Sequence, residues 1–109
     1  YRFDVVAAAM PGVLSGAPHA SERPYVFDNL STLEWPVGDR DRQAATVMAD
    51  YWTGFAASGD PNGGGRPVWP EYRAMPGQLL MFSNDGPAAA PVPFVARLDL
   101  IEALYARIR

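Results

Sequence analysis

Apolar positions recur with a helical period in two stretches of the chain and alternate with polar ones in another. Within 41–57, Ala44, Val47, Met48, Tyr51, Trp52 and Phe55 fall at i, i+3, i+4, i+7, i+8 and i+11, a wide stripe along one helix face. Asp39 or Asp41 can cap the start of this helix, and Gly59 followed by Pro61 can end it. The aromatic side chains on the stripe require a surface to dock on. A second helix is predicted over about 95–108, just after Pro93, with Leu98, Ile101, Leu104, Tyr105 and Ile108 as its stripe.

Tyr1-Arg2-Phe3-Asp4-Val5-Val6 alternates and is rich in aromatic and β-branched residues, which predicts a strand over 1–6. Gln78-Leu79-Leu80-Met81-Phe82 reads as a second strand, buried or at an edge. Residues 25–30 are too short for periodicity to separate helix from strand. Residues 7–24 read as a loop punctuated by Pro11, Gly12, Gly16, Pro18 and Pro24. Loops this long without structure of their own are uncommon and usually functional. Residues 59–77 are rich in turn formers, and 83–93 read as a Pro/Ala/Gly loop.

The order is therefore strand, long loop, helix, strand, helix. Two strands make no stable sheet alone; about three strands or a covering partner are needed. The helices carry apolar faces with too little sheet to pack on. A chain that opens inside a strand, without an initiator Met, is expected to be one piece of a longer polypeptide rather than an independent domain.

Composition narrows the function classes. With 109 residues, 49% of them hydrophobic, the chain can bury one modest core. Net charge is only −3, and the nine basic residues, all Arg, are scattered from Arg2 to Arg109. A nucleic-acid role thus gets no electrostatic support. The lack of cysteine excludes disulfides, thiolate chemistry and Cys-ligated metals. No run approaches the roughly 18 apolar residues of a membrane span, and no signal peptide is visible. The compartment stays open. The Arg-only basic set with abundant Ala, Gly and Pro suggests a GC-rich bacterial gene.

The one histidine, His19, lies in the long loop, in Gly16-Ala17-Pro18-His19-Ala20-Ser21-Glu22. Imidazole suits proton transfer near neutral pH. Residue type alone leaves two readings, a general base or an ordinary loop histidine. No Gly-x-Ser-x-Gly elbow accompanies it. Ser15 has the wrong spacing, and Ser21 is only two residues from the imidazole. Glu22 can position the loop by meeting backbone amides or an Arg. Asp60-Pro61-Asn62-Gly63-Gly64 lacks the ligand spacing of a calcium loop and the Lys of a phosphate loop, and fits a helix-ending turn. Asn29-Leu30-Ser31 matches a glycosylation triplet that is common by chance. Trp52, Phe55 and Trp69 fit core packing better than a ligand surface.

Gly16 through Phe27 resembles the type-B carboxylesterase family, which includes cholinesterases and bacterial para-nitrobenzyl esterases. There, a Gly-x-x-His-x-x-Glu segment followed by an aromatic-Val-Phe run carries the catalytic histidine. Met48 through Asn62 is similar to the family's Tyr-Trp-x-x-Phe-Ala-x-x-Gly-Asp-Pro-Asn segment, and Trp69-Pro70-x-Tyr72 follows in the expected place. The likeness covers residues 1–82 well and the last helix loosely. Two positions depart from it. The residue after the histidine is often Gly and is here Ala20; the residue after Val-Phe is often Gly and is here Asp28. Both alter loop shape, and with it substrate fit, without removing a catalytic group.

The resemblance implies an α/β fold, the carboxyl-terminal fragment of an α/β-hydrolase. It comprises a late sheet strand, the catalytic-His loop, a packing helix, an edge strand and a terminal helix. It implies a serine esterase in which His19 is the base and Glu22 a loop-positioning residue. The nucleophile and the acid lie outside this chain, since the family order is Ser, then Asp or Glu, then His. It implies a small-molecule ester as substrate, the amino-terminal remainder of the same enzyme as partner, and no metal or organic cofactor. This chain alone is expected to be inactive. Two other readings stay open: a non-catalytic relative used for binding or adhesion, and a small stand-alone binding module.

Overall fold

A computed structural model describes residues 1–10 and 12–108. Pro11, one of the loop punctuators, and Arg109 lie outside the described residues.

Three strands form one mixed sheet in the order β1-β2-β3. β1 is Arg2–Phe3, β2 Gln78–Ser83 and β3 Gly86–Pro91. β1 runs parallel to β2 with Arg2 opposite Met81 and Phe3 opposite Phe82. The predicted strand over 1–6 is thus laddered at only two residues. Beyond it, Asp4 N–H donates to the Phe82 carbonyl at 2.7 Å. The Asn84 side chain then takes over from the strand: its Oδ1 accepts from Val6 N–H at 2.8 Å, and its Nδ2 donates to the Val6 carbonyl at 3.2 Å. The extended chain is satisfied, by a side-chain amide where β2 has already turned away.

β3 corrects the predicted loop over 83–93. Pro87, Pro91 and the run Ala88-Ala89-Ala90 have little strand propensity and no alternation, yet the segment pairs antiparallel with β2 from Ser83–Gly86 to Gln78–Pro91. Pairing overrides propensity here. The prolines are tolerated because β3 is an edge strand. Gly86, at φ +100°, closes the turn with a conformation that strains other residues.

Of the ambiguous 25–30 segment, Tyr25 and Val26 end a short helix, Phe27 and Asp28 form a turn, and Leu30 opens a 3-10 turn. α1 is Arg23–Val26, and a 3-10 turn follows at Leu30–Thr32. α2 spans Asp39–Ser58. Neither Asp39 nor Asp41 is its N-cap. That residue is Gly38, and Asp41, in the first turn, reaches back to accept its N–H at 2.9 Å. Gly59 ends the helix in the left-handed region, φ +78°, donating to the Phe55 carbonyl at 2.7 Å.

The core is Val5, Tyr25, Leu30, Ala45, Met48, Tyr51, Leu80 and Phe82. It lies where α2 and α1 cover one face of β2, whose Leu80 and Phe82 alternate inward. The buried line of α2 runs Asp41, Ala45, Met48, Tyr51, so the predicted stripe is rotated. Ala44, Val47 and Trp52 flank the core, and Phe55 is 58% exposed. α3, Val95–Ala106, forms as predicted but buries none of its residues. The radius of gyration, 15.8 Å, exceeds the roughly 13 Å of a compact domain of this length.

Candidate functional site

His19 is exposed. It sits in a turn closed by Ser21, whose N–H and hydroxyl both donate to the Pro18 carbonyl, at 3.2 and 2.8 Å. Ala20 then takes φ +62°, a left-handed value that costs a residue with a Cβ about 1–2 kcal/mol. The Ala20 carbonyl accepts from Arg23 N–H at 3.4 Å, and the Glu22 carbonyl accepts from Tyr25 and Val26 N–H at 3.0 and 2.9 Å. Backbone hydrogen bonds therefore run from Pro18 into α1, and His19 sits on a hydrogen-bonded extension of that helix.

α1 is anchored by Tyr25, 3% exposed, whose ring packs against Phe3 at 5.1 Å. Its hydroxyl donates to Asp41 Oδ1 at 3.0 Å. Asp41 is 1% exposed, and its carboxylate also accepts from Ala8 N–H at 3.1 and 3.2 Å and from Gly38 N–H. Neutral donors from three segments surround a buried carboxylate, which is what such a group needs. Burial first, then the hydrogen bond to Asp41 and its charge, push the Tyr25 phenol well above its ordinary range. Gly38 is required for space: a Cβ there would lie 2.8 Å from that of Ala8.

Sequence marked Asp41 only as a candidate helix cap and Tyr25 only within the motif run, not as partners. A signal was present. Asp41 leads the line Ala45, Met48, Tyr51 at i+4, i+7 and i+10, so an acidic residue stood on the buried face. Its spacing from Gly38 is that of a residue capping from inside the first turn.

Glu22 is half-buried and precedes α1 as its N-cap, without a side-chain capping bond. Its charge adds to burial in raising the Tyr1 phenol. The Ser21 hydroxyl is committed to Pro18, and Ser15 is exposed in the loop. Asp28, the second departure from the family pattern, also takes a positive φ, +47°. Both positions where glycine is frequent in the family are thus left-handed here.

The second motif segment is structural. Asp60 Oδ1 accepts from the Asn62 backbone and side-chain N–H groups, both at 2.9 Å. Asn62 in turn accepts from Trp69 N–H at 2.7 Å and donates to its carbonyl at 3.3 Å. This clasps the turn after α2 to Trp69, which meets Tyr51, Trp52 and Phe82 at centroid distances of 5.6–6.0 Å. A groove of about 680 Å³ runs beside Trp52, Phe55 and Trp69. Among the described residues no group of three His, Asp or Glu could hold a metal ion, and no helix is long and apolar enough to cross a membrane.

An exposed imidazole on a hydrogen-bonded turn can take or give a proton when a nucleophile is presented to it. The model of the carboxylesterase family matches residues 1–92. The chain is similar to phenmedipham hydrolase of Pseudarthrobacter oxydans, 32% identical over 96 residues, covering 83% of this chain and 19% of that protein. It is similar to carboxylesterase 1D of Rattus norvegicus, 35% identical over 79 residues, 72% of this chain and 14% of that protein. It is also similar to bile salt-activated lipase of Mus musculus, 43% identical over 68 residues, 60% of this chain and 11% of that protein. The chain spans about a fifth or less of the length of these relatives.

Proposed function

This chain belongs to the carboxylesterase family, and from that premise we propose that it is the part of a serine carboxylic-ester hydrolase that supplies the general base, His19. A serine outside these residues attacks the ester carbonyl. His19 takes its proton, then gives it to the departing alkoxide, which leaves as the alcohol. A carboxylate, also outside this chain, orients the imidazole, and backbone amides elsewhere hold the oxyanion. Water attacks the acyl-enzyme in a second step, with His19 again as base, and the acid is released. Specificity lies in loops that line the pocket, so the substrate class is set here no further than a small-molecule ester.

The observation that carries this reading is the presentation of His19: exposed, and held by hydrogen bonds continuous with a helix whose tyrosine is buried. The test is His19→Ala in the full-length protein, with turnover of a chromogenic ester measured. A fall of about 10⁴-fold or more is expected. Retention of more than a tenth of the activity would exclude the assignment. Residues 1–109 expressed alone are expected to take up no serine-directed phosphonate, and labelling would contradict the placement of the nucleophile elsewhere.

A further inference from the structure

We propose that Tyr25 and Asp41 are positioning residues for His19, a proposal that rests on the reading of His19 as the base. The loop that carries His19 leaves the sheet after Asp4 and rejoins regular structure at Arg23. The Asp41 carboxylate holds both of its ends. Near the first it accepts Ala8 N–H at 3.1 and 3.2 Å, and just past the second it accepts the Tyr25 hydroxyl at 3.0 Å. Asp41 itself is fixed by burial and by Gly38 N–H. One carboxylate on the long helix thus sets the span of the loop.

The position of His19 follows from this clamp through a run of backbone hydrogen bonds. From Pro18 to Val26 each turn is hydrogen-bonded to the next, so a movement of α1 carries the imidazole with it. A misplacement of about 1 Å at a reacting group can cost about a hundredfold in rate. The hydrogen bonds of Tyr25 and Asp41 go to each other, Ala8 and Gly38 rather than to His19, and their effect is transmitted through backbone geometry.

The experiment uses Tyr25→Phe in the full-length protein, alongside His19→Ala. Phe keeps the ring packed on Phe3 and removes only the hydroxyl. The expected result is a fall in kcat of about tenfold or more with KM within about twofold. The acidic limb of the kcat/KM profile should also move to lower pH, because a displaced imidazole loses the pull of the carboxylate that favours its protonated form. Unchanged kcat for Tyr25→Phe beside an inactive His19→Ala would overturn the clamp and leave the base intact. A fall in kcat with an unmoved acidic limb would reduce Tyr25 to a merely structural residue, again overturning it. Activity in His19→Ala would remove the base itself, and the clamp with it. Should Tyr25→Phe fail to fold, Asp41→Glu, which keeps the acceptor and lengthens its arm, is read by the same kcat, KM and pH criteria.

Discussion

The Tyr25 hydroxyl and Asp41 Oδ1 meet at 3.0 Å inside the core, where a phenol from the short helix α1 finds a carboxylate from the first turn of α2. The same carboxylate takes the N–H groups of Ala8 and Gly38, so one side chain of α2 joins the loop after β1, α1 and the residue that starts α2. Replacing it with Ala leaves the buried Tyr25 hydroxyl and the part-buried Ala8 and Gly38 N–H groups without this acceptor. Asp41→Ala is expected to lower stability by roughly 3–5 kcal/mol, since each buried group left unpaired costs about 1–3 kcal/mol and part of the void relaxes. Urea unfolding of the full-length protein measures this. A loss below about 1 kcal/mol would show that the junction is held by packing instead.

The raised phenol of Tyr25 makes a prediction in alkali. In the folded state the proton is retained well above the ordinary value of 10.0, while the unfolded chain loses it near 10. Above that pH the folded state binds more protons than the unfolded one. Stability is therefore fully present below about pH 10 and falls as pH rises toward the folded value, by up to about 1.4 kcal/mol per pH unit from this one group. Tyr25→Phe removes that contribution. The difference in unfolding free energy between the two proteins should shrink from about pH 10 upward, and parallel curves would argue against it.

Ala20 and Asp28 occupy left-handed backbone, at φ +62° and +47°. Glycine adopts that region freely, at an entropic cost of about 0.5–1 kcal/mol in the unfolded chain. The relief of about 1–2 kcal/mol at Ala20 exceeds it. Ala20→Gly is expected to stabilise by about 0.5–1 kcal/mol, read from the urea midpoint. Asp28→Gly should gain less, because Asp tolerates this region better than Ala. Destabilisation by Ala20→Gly would mean that the Cβ contributes packing that offsets its strain.

Much was legible before the structure. α2 and α3 followed from apolar spacing alone, because a 3.6-residue period survives whatever the helix packs on. Gly59 ended α2 as expected, by the left-handed conformation only glycine takes cheaply. β2 followed from its run of large apolar residues. β3 did not: its alanines and prolines carry no strand signal, and it exists because β2 offers a free edge and Gly86 turns the chain back onto it. The predicted strand over 1–6 was extended as expected, but the ladder stopped at Phe3 because β2 ends at Ser83 and the Asn84 side chain supplies the remaining bonds.

The candidate site divides in the same way. Sequence determined that His19 lies in a long Pro/Gly-bounded loop and that it is the one histidine, since residue type and spacing alone decide these. It also held the family likeness of the two motif segments, which the match over residues 1–92 supports. Tertiary structure alone decided which face of α2 is buried, placing Asp41 and Ala45 inside and Phe55 outside. It alone brought Ala8, Tyr25 and Gly38 onto one carboxylate. Hydrophobic periodicity counts apolar side chains and is blind to a buried polar group, whose stability depends on donors arriving from segments up to 33 residues away.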